Sequence, residues 1–82
     1  MEREHFVHGF ARRLTALMQQ ADLGSSKSKA GVQINKLAKI SGCSNQMARR
    51  YALGEALPDV DVTYKIAKCL KVSPGWLLYG VD

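Results

Sequence analysis

Four side chains in one short stretch, Asn45, Gln46, Arg49 and Arg50, are of the types that read nucleic-acid base edges. Carboxamides pair bidentately with adenine N6 and N7, and guanidinium groups with guanine O6 and N7. Their spacing puts all four on one side of a helix, because residues three and four apart share a face. The surroundings are electrostatically one-sided. From Leu23 to Gly54 there is no acidic residue, while Lys27, Lys29, Lys36, Lys39, Arg49 and Arg50 supply six positive charges. The other 50 residues hold six basic and seven acidic groups, so the whole net charge of +5 is confined to this window. A localised excess of this kind is the footprint of a polyanionic partner. A solvated lysine-rich face would account for the charge alone, so the rest of the window must decide.

Other chemistries find little support. Cys43 and Cys69 sit in otherwise apolar surroundings without CxxC spacing, which argues for two buried thiols and against a disulfide framework or a zinc site. His5 and His8 share a helix face, but no further ligand joins them, so they are expected at the surface with no metal. No pair of carboxylates converges with a His or Lys, and an acid-free window excludes a metal–carboxylate centre where a polyanion would lie. Neither an enzyme nor a cofactor is expected. No apolar run approaches the roughly 20 residues of a membrane span. Met1-Glu2-Arg3-Glu4-His5 lacks the pattern of a secretory signal, so the expected compartment is the cytoplasm. A chain of 82 residues has room for a single domain with a small core and little for an enclosed catalytic pocket plus a lid.

The elements that must hold the four side chains read as helices throughout, at roughly 4–22, 32–40, 44–53, 60–71 and 73–79. In the first, Phe6, Phe10, Leu14, Leu17, Met18 and Ala21 recur at steps of three and four as a buried stripe, and Gly24 is expected to end it. Residues 24–31 form a basic loop of flexible composition. Ser44 offers an N-cap to the helix carrying the four side chains, and Gly54 stops that helix. Asp59 and Asp61 place negative charge at the start of the fourth helix, whose inner face is Val62 or Thr63, Ile66, Ala67 and Leu70. Ser73 and Pro74 begin a short last helix that carries Trp76, assigned to the core. No stretch alternates as a strand would, and the fold class is all-α with five helices.

Two short helices joined by a tight glycine turn form the arrangement in which the second helix enters the major groove of DNA. Ala38 must be small where the helices cross, Gly42 permits the bend, and Leu37, Cys43, Ala48 and Tyr51 face inward. Residues 37–54, then Pro58, then Ile66 to Gly80 with its Val72-Ser73-Pro74-Gly75-Trp76-Leu77-Leu78-Tyr79-Gly80 ending, resemble the Cro/CI (XRE-type) family of helix-turn-helix repressors. The resemblance spans roughly residues 10–80. It implies a lambda-repressor-like five-helix domain that binds double-stranded DNA at a two-fold symmetric operator as a homodimer. Carried over by position, Asn45, Gln46 and Arg50 match base-reading positions, with Arg49 alongside, and Ser44 matches a capping and backbone-contacting position.

The chain departs from the family pattern at several points. Ile34 stands where the family has a phosphate-gripping Gln, and Gln33 precedes it as a substitute. The 24–31 loop is longer than the usual link, and its Lys27 and Lys29 are assigned to backbone phosphate. Glu55 replaces a common basic residue, which removes one phosphate contact, and Ala48 is smaller than usual. The resulting expectation is a sequence-specific transcriptional repressor with no small-molecule ligand, Val81 and the outward side of the last helix being the dimer contact. The alternative is an antitoxin that binds a protein toxin and its own promoter, for which a longer tail beyond Asp82 would be expected.

Overall fold

The computed structural model describes residues 2–80, with side chains described from Val7 onward, as five helices and no strand. The expectations for Phe6, His5 and Val81 lie outside the described residues. Helix α1 spans Glu2–Gln20, α2 Ile34–Ser41, α3 Asn45–Leu53, α4 Val60–Leu70 and α5 Pro74–Tyr79. The two expected caps form, Ser44 accepting from Met47 N–H and Ser73 from Trp76 N–H; Asp59, expected only as charge at the start of the fourth helix, also caps it by accepting from Val62 N–H. These bonds satisfy amides that a helix leaves unpaired in its first turn, each worth about 1 kcal/mol.

The end of α1 differs from expectation. Asp22, not Gly24, adopts the left-handed backbone (φ 63°), and Leu23 N–H returns to Met18 O at 2.7 Å. Ala21 therefore falls past the helix and is exposed instead of joining the buried stripe. Gly24 pairs with Val32 in an isolated antiparallel bridge, so Val32 precedes α2 as an extended, fully buried residue. The 24–31 loop is accordingly a closed excursion. Its neck is stitched by Ser25 N–H to Gly31 O, Gln33 N–H to Leu23 O, and the Gln33 carboxamide to Gly24 O.

Phe10, Leu14 and Met18 of α1 meet Val32, Leu37, Ala48, Ile66 and Leu77 in one fully buried cluster. Each such aliphatic or aromatic side chain contributes roughly 1.5–3 kcal/mol by leaving water. Helix α1 packs on α3 and α5, α2 on α3 and α4, and α4 on α5. In α4, Thr63, Ile66 and Ala67 are buried and Val62 is half-buried. Other core assignments change as well: Trp76 and Leu70 are half-buried against the core while Leu77 fills the centre, and Cys69 is exposed on α4. The buried face of α4 is centred on Thr63, Ile66 and Ala67, and at roughly 100° per residue Cys69 lies more than about 90° from that centre, on the solvent side.

Arg13 ties the two ends of the chain. Its Nε donates to Leu77 O at 3.0 Å and its Nη2 to Leu78 O at 2.9 Å, so one guanidinium covers the open carbonyls of α5. A cation is favoured at that helix end. Burial, and secondarily the neighbouring Arg12, lowers its pKa from the usual arginine value.

Candidate nucleic-acid interface

The joint between α2 and α3 sets the angle of α3. Gly42 takes a left-handed conformation (φ 71°), and both its N–H and that of Cys43 return to Ala38 O, at 2.9 and 3.1 Å. Ala38 and Ala48 are both buried at the crossing, where larger side chains would part the helices. Ser41, wholly buried, donates to Leu37 O at 2.7 Å and lies 2.9 Å from Cys43 Sγ. Cys43 is half-buried and not enclosed as expected.

Ala48, Tyr51 and Ala52 turn into the core. The opposite face of α3 then carries Asn45, Gln46, Arg49 and Arg50, all exposed. Among the described residues, no side-chain hydrogen bond engages any of the four. They are brought together as expected and have their donors and acceptors available.

Lys27 and Lys29 are also exposed, on the closed loop. Loop and helices border an open groove of about 880 Å³, lined by Ser25, Lys27, Ser28, Lys29, Ala30, Val32, Gln33, Ile34, Asn35, Asn45, Gln46 and Arg49. Gln33 occupies the N-cap position of α2 without capping it, since its carboxamide donates to Gly24 O at 3.1 Å. The first-turn amides of α2 therefore face this groove without a side-chain cap, an arrangement that favours an anion. Ser44 is exposed, with its Oγ accepting from Met47 N–H. Ser25, Ser28 and Asn35 were not singled out from the sequence; the serines read there only as loop composition.

The Tyr51 phenol is pushed above its ordinary value of 10.0 by burial first, then by Cys43 and Asp59, with Arg50 opposing. No group of three or more His, Cys, Asp or Glu comes together among the described residues. No helix there is long and apolar enough to cross a membrane.

A glycine-locked helix pair with an exposed amide and guanidinium face, beside a basic groove, defines a DNA-reading architecture. The chain belongs to the helix-turn-helix family of the XRE, Cro/CI-like type, whose family model matches residues 27–77. Membership carries the coarse function with it: a DNA-binding transcription regulator of a family that is not enzymatic. The match begins inside the basic loop. Neither a curated protein nor a solved structure matches the chain.

Proposed function

We propose that the protein is a sequence-specific repressor, acting in the cytoplasm as a homodimer on a two-fold symmetric operator. The observation that carries this reading is the face of α3. Four exposed side chains with uncommitted hydrogen-bonding groups project from a helix whose angle is fixed by buried contacts on its other side. Asn45, Gln46, Arg49 and Arg50 read base edges in the major groove. Ser44, Gln33 and Lys27 hold the flanking backbone, with Lys29 beside them on the loop. The outward side of α5, where Tyr79 is 57% exposed, supplies the contact between subunits.

Selection from random duplex DNA followed by sequencing tests the reading. The expected product is a palindrome whose half-sites lie about one helical turn, roughly 10 base pairs, apart. A promoter bearing that palindrome should lose expression when the protein is supplied. Absence of any enriched sequence, together with no duplex binding at low salt, overturns the proposal.

A further inference from the structure

A second depression of about 310 Å³ runs along α3 from three of its four outward side chains to the residues past its end. Lys29, Gln46, Arg49, Arg50, Leu53 and Glu55 line it. Lys29 borders both depressions, whereas Lys27 borders only the first, so Lys29 alone of the two loop lysines reaches the later turns of α3. Lys29 is held there by its backbone. Gly31 N–H bonds to Ser28 O and Ala30 N–H to Ser28 Oγ, which makes residues 28–31 a tight turn with Lys29 at its tip. Gln19 anchors the same turn through Gly31 O at 3.3 Å.

Glu55 gives the second depression its meaning. Its N–H returns to Arg50 O at 2.8 Å, fixing it just past the C-terminus of α3. A carboxylate at that end is opposed by the helix dipole, so helix stability does not ask for it. Placed against phosphate it would be repelled, whereas at base edges it accepts from cytosine N4. An ammonium in the same depression donates to guanine O6 and N7. Both partners are present on one G·C pair.

We propose that Lys29 and Glu55 together read a G·C base pair at the flank of each half-site, with Lys29 in the groove and not on the backbone. The inference rests on the DNA-reading function proposed above for α3. An α-helix occupies most of the major groove, roughly 12 Å wide, so an additional reader enters at the helix flank, as a side chain from a fixed turn does here. Lys27 contacts phosphate alone.

The test is binding-site selection run in parallel on the unaltered protein and on Lys29→Ala, Glu55→Ala and Lys27→Ala. All three positions are exposed, and circular dichroism checks that each variant folds. The unaltered protein should enrich a motif containing a flanking G·C. Lys29→Ala should lose preference at that position alone, with discrimination falling on the order of tenfold, while the positions read by α3 persist. Glu55→Ala should blur the same position and bind random duplex more tightly, because a negative charge has been removed. Lys27→Ala should leave the motif intact and only weaken its salt-dependent affinity. If Lys29→Ala and Lys27→Ala produce the same uniform loss with an unchanged motif, the assignment is overturned and the α3 reading stands. If the unaltered protein enriches nothing, both fall.

Discussion

At the scale of single residues, burial on one side of α3 is what makes its other side legible. Ala48 and Tyr51 are the residues that a glycine-turned helix pair requires inward, and their enclosure leaves Gln46 and Arg50 in the solvent. Truncating either to Ala should cost about 1–3 kcal/mol on the selected operator and much less on random duplex, measured by competitive gel shift. Equal losses on both would place the residue on phosphate. Gly54 carries a different constraint. Its φ is 76°, and a Cβ there would lie 3.0 Å from His8 Cδ2, so Gly54→Ala combines left-handed strain with a clash against α1. A stability loss of at least about 1–2 kcal/mol is expected in urea unfolding, part of it recovered by adding His8→Ala. Gly54 was readable from the sequence as a helix stop; its contact with His8, 46 positions earlier, was not, because period and propensity say nothing of which helix crosses a cap.

At the scale of elements, local chemistry was legible and distant contact was not. Ser44 and Ser73 announced two helix starts as caps, since a cap depends only on the next three residues, and Asp59 announced a third through its charge. The end of α1 escaped because an Asp at positive φ is uncommon, and glycine two positions on offered the more ordinary stop. Nothing local distinguishes Arg13 from Arg12 on α1; its partners are 64 and 65 residues away. Arg13→Ala should lower stability by about 2 kcal/mol and expose Trp76 fluorescence to quenching, because α5 loses its bridge to α1. Arg13→Lys should restore only part, an ammonium having no planar fork to span two carbonyls. Helix α3 also carries a pH response. The raised Tyr51 pKa means that the neutral phenol is favoured by folding. Its contribution is fully present below about pH 10, the unfolded value, and is lost as pH rises through the higher folded one. Urea midpoints between pH 9 and 11 should therefore fall more steeply for the native chain than for Tyr51→Phe.

At the scale of the whole molecule, the charge of +5 resolves into one acid-free basic segment, residues 23–54, in a chain otherwise near neutrality, and the fold gathers Lys27, Lys29, Arg49 and Arg50 of that segment around adjoining grooves. Affinity for duplex DNA should fall linearly in log–log salt titrations, and Lys27→Ala should reduce the slope by about one. Sedimentation on operator DNA should find two chains; a monomer there removes the dimer reading. The shape of the basic segment was only partly anticipated: composition suggested a loose loop at 24–31, whereas Gly24 and Val32 meet and the excursion starts and ends at one point. A segment whose two ends are neighbours can be exchanged without moving what it joins. A designer can therefore replace residues 25–29 with another sequence or length while α1 and α2 keep their places, provided Ala30 stays packed on the core. Target preference at the operator flank would then diverge faster than the core, and the loop would serve as an interchangeable part of an inherited frame.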